Sequence, residues 1–228
     1  MLKETVTNIA FFDVDETILD GKSMALFLDF AAQRLDGLPS WSDFWSSLDS
    51  TWGRSRGNRE YYEIWKGYRE DVVLQLGREW FEREGISRLL IGSTTRRLRQ
   101  HHELGHKVVL VTGSFDAPIA PLFDFLQCDK LLATKLETLN GCYTGAIERS
   151  MIGENKAYAA TNYLQSIGDS VGQVWAYGDH VSDSPLLSLA HERYLVTKNK
   201  ESTYEDIPTL DNVTIIGHDD IMEEPYAP

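Results

Sequence analysis

Short apolar runs alternate with helical periodicities along most of this chain. Ile9–Phe12, Lys107–Thr112 and Gln173–Tyr177 are apolar on both faces, the pattern of strands buried in the middle of a parallel sheet. Tyr194–Val196 and Val213–Ile216 predict two further strands. Leu131–Glu148 predicts extended structure folded back at Asn140-Gly141, a strong hairpin signal. Helices are expected from Met24 to about Leu35, with Met24, Phe27, Leu28 and Ala31 on one face. Others are expected over Ser93–Leu104 (closed by Gly105), Phe115–Leu126, from the Gly153-Glu154-Asn155-Lys156 turn to about Ile167, and from the loop after Gly178 through Ala190. Strands alternating with helices make a doubly wound, Rossmann-like α/β sheet.

One region breaks the alternation. Between Trp41 and Gly85 the chain carries Trp41, Phe44, Trp45, Trp52, Tyr61, Tyr62, Trp65, Tyr68, Trp80 and Phe81, and its only β-branched run is Val72-Val73. Residues 22–91 are therefore expected to form a helical-bundle cap inserted after the first strand, with residues 1–21 and 92–228 as the core domain. The aromatic stripes are expected to be the bundle's own core rather than a binding surface; the alternative is that some of them line the substrate side of a cap.

Composition narrows the partners. The chain of 228 residues, 42% hydrophobic and 25% charged, is an ordinary globular composition. Its net charge of −13, from 22 basic and 35 acidic residues, argues against nucleic acid and anionic membrane as partners. Met1–Asn8 has no secretory h-region, and no run reaches the roughly 18 apolar residues of a membrane helix. Cys128 and Cys142 stand in no metal-ligand spacing and read as reduced thiols, so a cytoplasmic location is expected. The acidic tail from Asp219 reads as loose. Adjacent His101 and His102, with His106 nearby, cannot chelate one ion together and are expected on the solvated surface.

Candidate chemistry collects where the strands end. Asp13 and Asp15 follow the first strand, Thr112-Gly113-Ser114 ends the second, and Asp179 and Asp183 follow the third. Open α/β sheets place their ligands at that edge. Paired carboxylates ask for a divalent cation, while a hydroxyl donor and the ammonium of Lys156, near a helix N-terminus, suit a phosphoryl group. Taken singly, each residue could be a turn, a cap or a surface charge.

Asp13-Val14-Asp15-Glu16-Thr17, Thr112-Gly113-Ser114, Lys156 and Gly178-Asp179 with Asp183 resemble the four ordered motifs of the haloacid dehalogenase superfamily of phosphohydrolases. The helical insert after the first motif, Arg59-Glu60-Tyr61-Tyr62, Ser114-Phe115-Asp116 and the Gly153–Lys156 turn are similar to its phosphoserine phosphatase-like branch (subfamily IB), over roughly residues 9–197. The resemblance implies that Asp13 is the nucleophile, forming an aspartyl-phosphate, and that Asp15 is the general acid and base. It implies Mg²⁺ held by the Asp13 side chain, the Asp15 carbonyl and Asp179, with Asp183 in support. Thr112, with Gly113 and Ser114, and Lys156 would bind the phosphoryl oxygens.

An acid at position 15 favours phosphate-ester hydrolysis, since an alkoxide leaving group needs a proton. Transfer to an alcohol, or a non-enzymatic phosphate-binding module, are the alternatives. Phosphoserine phosphatases carry a glutamate nine residues after the nucleophile, where this chain has Lys22. A cation there repels an ammonium and suits a carboxylate, a hydroxyl or a second phosphate. Arg54, Arg56 and Arg59 are further candidates for an anionic substrate group. The expected substrate is a small phosphorylated metabolite.

Overall fold

The structure is a computed structural model that describes residues 6–49, 51, 54–198 and 211–219. Its seven strands form one sheet, ordered β4-β3-β2-β1-β5-β6-β7. They are β1 (Thr7–Phe12), β2 (Lys107–Phe115), β3 (Lys130–Leu139), β4 (Cys142–Arg149), β5 (Val171–Gly178), β6 (Glu192–Thr197) and β7 (Val213–Gly217). All neighbours are parallel except β3 and β4, the hairpin closed at Asn140-Gly141, both with positive φ.

β1 lies in the centre because it can be buried on both sides. Ala10 and Phe12 enter one core, Ile9 and Phe11 the other, the alternation an extended chain imposes. From β1 the chain first winds outward through β2, β3 and β4. It then returns across β1 to lay down β5, β6 and β7. The strand order reverses at β1, so the carboxyl ends of β1, β2 and β5 flank a topological switch point.

The two faces are covered differently. α7 (Glu154–Ile167) and the short α8 (Ser184–Leu187) cover the Ile9/Phe11 face with small and aliphatic residues such as Ala160 and Leu186. The loop after β5 makes only a 3₁₀ turn (Val181–Asp183) and that four-residue helix, shorter than the helix through Ala190 that the sequence predicts.

The opposite face takes the large aromatics. α1 (Ser23–Ala32), α2 (Trp41–Ser47), α3 (Arg54–Glu63) and α4 (Glu70–Arg83) follow β1, and α5 (Gly92–Glu103) and α6 (Asp116–Leu126) flank β2. Phe27, Tyr61, Trp65 and Trp80 pack together with Phe115 of β2 and Leu122 of α6, so the helical segment and the sheet share one apolar core. α4 lies directly on α6 at Gly77. A Cβ there would meet the Ala117 carbonyl oxygen at 1.8 Å, which explains a glycine inside a helix where alanine is intrinsically better. Trp45 points outward at 62% exposure, apart from that core, and Trp52 lies outside the described residues. So does the tail beyond Asp219.

The histidines correct an expectation. His101 is fully buried, and His102 and His106 are half-buried rather than solvated. His101 and His102 do point to different sides: His101 meets His106 and Tyr177, while His102 meets the Leu126 carbonyl.

Candidate active site

Each acidic side chain is delivered by the end of a strand. Beyond β1, the Asp13 N–H still donates to the Tyr177 carbonyl at 2.9 Å, so the first acid is held in register with β5. The chain then turns sharply. The Val14 carbonyl accepts from Ile18 and Leu19 N–H, and Glu16 takes a positive φ of 62°, a conformation that a non-glycine residue holds only when its surroundings impose it. Those surroundings are visible: Thr94 Oγ1 donates to the Thr17 carbonyl at 2.6 Å and the Ile91 N–H to that of Ile18 at 2.8 Å.

Lys156 stands in the first turn of α7 and is buried. Its ammonium donates to Asp13 Oδ1 at 2.5 Å and to Asp183 Oδ1 at 2.7 Å. A helix N-terminus is the unfavourable end for a cation; two buried carboxylates outweigh it and hold the Lys156 pKa above its ordinary value despite desolvation. Asp183 is braced from behind by the His180 N–H at 3.3 Å. Gly178 makes room for it, since a Cβ at that position would come within 2.7 Å of the Asp183 Cβ.

Asp179 completes the group. Asp13, Asp179 and Asp183 each offer an oxygen, all within 4.8 Å of one another. Desolvation and the neighbouring carboxylates push the Asp179 pKa up, and desolvation outweighs Lys156 to raise that of Asp13. One ammonium thus stands among three carboxylates and is paired with two of them; Asp13 and Asp183 are buried and Asp179 half-buried. An all-oxygen donor set with surplus negative charge fits a hard divalent cation such as Mg²⁺.

Asp15 is turned the other way. Its Oδ1 accepts from the Ser23 N–H of α1 at 2.9 Å, and burial raises its pKa. The cation role that the resemblance implies for Asp15 is one for its carbonyl, which this side-chain contact does not engage. Thr112 is buried and its Oγ1 accepts from the Ser114 N–H at 3.1 Å, leaving the hydroxyl proton to donate elsewhere. The Gly113 carbonyl is held by Tyr62 Oη at 2.5 Å and Thr134 Oγ1 at 2.8 Å. The Ser114 hydroxyl is buried without a hydrogen-bond partner.

Lys22 is not brought into the cluster. Its side chain is 60% exposed, and its ammonium lies 3.6 Å from Glu16 Oε2. Arg56 and Arg59 are exposed, and the side chain of Arg54 lies outside the described residues. Sequence reasoning gave no role to Ser23 or Tyr62. The available signal was the start of the first helix directly after the acidic loop, and Tyr62 within the Arg59–Tyr62 flank.

The haloacid dehalogenase-like hydrolase family model matches residues 10–188. The chain belongs to that family. A putative hydrolase of Mycobacterium leprae is 27% identical over 195 residues, 81% of this chain and 64% of the relative. Phosphoserine phosphatase SerB1 of Mycobacterium tuberculosis is likewise 27% identical over 195 residues, covering 81% and 63%. The chain spans 42% to 64% of the length of the curated relatives it matches.

Among solved structures, a Bordetella pertussis protein of unknown function superposes with a TM-score of 0.74 at 24% identity, over 84% of this chain and 91% of that one. A phosphoserine phosphatase solved as a phospho-aspartyl intermediate analogue gives 0.58 at 16%, over 84% and 87%. These likenesses show the family's fold. No helix among the described residues is long and apolar enough to cross a membrane.

Proposed function

We propose that this chain is a Mg²⁺-dependent phosphomonoester hydrolase that acts on a small phosphorylated metabolite through an aspartyl-phosphate on Asp13. The observation that carries this reading is buried Lys156 bridging Asp13 and Asp183, with Asp179 alongside. Phosphoserine phosphatases among the relatives and structural neighbours support the same chemistry.

Asp13, Asp179 and the Asp15 carbonyl would hold the ion, with Asp183 behind them. A bound Mg²⁺ supplies positive charge that lets an anionic nucleophile approach an anionic phosphoryl group. The Asp13 carboxylate forms the new O–P bond as the bond from phosphorus to the alcohol oxygen breaks. Asp15 gives its proton to that departing oxygen, then takes one from the water that displaces phosphate from Asp13. Lys156 offsets charge on the phosphoryl oxygens and the Thr112 hydroxyl donates to one of them.

Residues 22–91 serve as a cap in this reading, with 1–21 and 92–228 as the core. The shared aromatic core supports a cap seated directly over the sheet edge, which favours a small substrate. The unpaired Cys128 and Cys142 suit a reducing compartment.

The test is phosphate release from a panel of small phosphomonoesters, with Mg²⁺ or with chelator, beside Asp13→Asn. Release that needs Mg²⁺ and drops by about 10³-fold or more in the variant is expected. Wild-type turnover in Asp13→Asn would overturn the nucleophile, and release surviving exhaustive chelation would overturn the metal dependence.

A further inference from the structure

The general acid of the proposed reaction leans on the helical segment, not on the sheet. Asp15 Oδ1 takes the Ser23 N–H at 2.9 Å. Ser23 opens α1, so this N–H is one of the donors at a helix start that find no partner within the helix. The Ser23 side chain is fully buried. Its hydroxyl also faces the carboxylate and favours its charged form, in a contact looser than the hydrogen bond made by the N–H. The next residue is fastened from α3: buried Tyr61 donates its hydroxyl to the Met24 carbonyl at 3.0 Å.

We propose that the Ser23 N–H is a positioning group for proton delivery, tying one Asp15 oxygen to the start of α1 so that the other is presented to the leaving-group oxygen. This rests on the phosphatase reading above. Ser23 does not touch the phosphoryl group; it acts through Asp15. When the bond from phosphorus to the alcohol oxygen breaks, the Asp15 proton passes to that oxygen and Asp15 becomes a carboxylate. The Ser23 N–H is already in place to stabilise that charge by donating to Oδ1. Tyr61 keeps the turn that carries Ser23 from shifting. Correct seating of α1 therefore becomes a condition for protonating the leaving group.

The need for that proton depends on the leaving group. A simple alcohol cannot leave as its alkoxide, whereas p-nitrophenolate leaves without help. The experiment compares kcat/KM, which covers the first phosphoryl transfer, across alkyl and aryl phosphomonoesters of graded leaving-group acidity. Ser23→Pro removes the N–H. Proline suits the first helical position, and Lys22 before it is extended (φ −100°, ψ 107°), as a residue preceding proline must be. Ser23→Ala removes only the hydroxyl.

Ser23→Pro is expected to lose about 30- to 100-fold on alkyl esters and only a few-fold on the p-nitrophenyl ester, steepening the dependence on leaving-group acidity. Ser23→Ala, which loses the hydroxyl and keeps the N–H, should steepen it far less than Ser23→Pro. An equal fall across the series for Ser23→Pro overturns the proposal and leaves the phosphatase reading intact. If melting shows that Ser23→Pro does not fold, Tyr61→Phe must steepen the slope in the same sense, and a parallel fall there overturns it. A wild-type protein that cleaves no ester of the series, with Mg²⁺ present, ends the phosphatase reading and this inference with it.

Discussion

Two buried polar clusters hang from neighbouring positions at the end of β5, and they are built on opposite rules. Around Asp179, three carboxylates face one ammonium, so negative charge is left over. Around Tyr177 uncharged side chains are linked in series. The Gln173 N–H donates to Asn8 Oδ1, which fixes that amide so that Nδ2 faces His106 Nε2. His106 must then carry its proton on Nδ1, facing His101 Nδ1, and His101 must carry its own on Nε2, facing the Tyr177 hydroxyl. The linked side chains themselves carry no charge, although the Arg97 guanidinium acts on His101 from nearby. A neutral hydrogen-bonded network specifies a fold; a network with surplus charge is poised for a ligand that brings the missing charge.

Lys156→Met is the hardest blow to this contrast. It would leave Asp13 and Asp183 buried without their cation, and breaking a buried pair in this way costs about 3–5 kcal/mol. Urea unfolding near neutral pH measures it. Mg²⁺ should restore part of the loss, since a ligand that binds only the folded state stabilises it. A cost below about 1 kcal/mol, with no response to Mg²⁺, would mean that the carboxylates relax or protonate freely and that the surplus charge is not organised for a cation.

The histidine cluster should respond to acid instead. Burial, reinforced by His106, pushes the His101 pKa down to about 3 from an ordinary 6.5. A proton added to His101 Nδ1 would also point at the proton of His106. Because the folded-state pKa lies below the unfolded one, the unfolded chain binds the extra proton first. The stabilising contribution is therefore complete above about pH 6.5 and drains away as pH falls toward 3, by about 2–4 kcal/mol at pH 4. His101→Gln should lower stability at pH 7 by about 1–2 kcal/mol and flatten the loss between pH 6 and pH 4. A wild-type slope in that variant would remove His101 as the cause.

The contrast also explains what the sequence discloses. Asp13, Thr112, Asp179 and Lys156 are legible because strand ends and a helix start place them, and the apolar runs announce those ends one by one. The sheet was legible for the same reason. His101 was not, because its burial follows from packing under Trp175 and Tyr177, which no local pattern records. Lys22 was singled out by spacing alone; the sharp Val14–Leu19 turn and the start of α1 set its side chain beside Glu16 in solvent. The aromatic stripes were legible as core, but the sharing of that core with Phe115 and Leu122 depends on how α4 sits on α6 at Gly77.

Tyr62 is a neutral, buried contact beside the charged site, and it sets the smallest effect. The Gly113–Ser114 peptide beside the charged site is held on both sides. Its carbonyl takes Tyr62 and Thr134, and its N–H binds Thr112 Oγ1. Thr134 Oγ1 also accepts from the Met151 N–H at 3.1 Å, so it ties two segments together. Tyr62→Phe keeps the buried ring and leaves Thr134 on the carbonyl, so a loss of about 1 kcal/mol is expected. Thr134→Val strands the Met151 N–H as well and should cost about twice that. If the peptide orients Thr112 for phosphoryl contact, Tyr62→Phe should also weaken competitive inhibition by inorganic phosphate a few-fold, in proportion to its fall in kcat/KM. Stability lost with phosphate inhibition intact would put Tyr62 among the neutral scaffold contacts alone, and the surplus-charge site would end at Thr112.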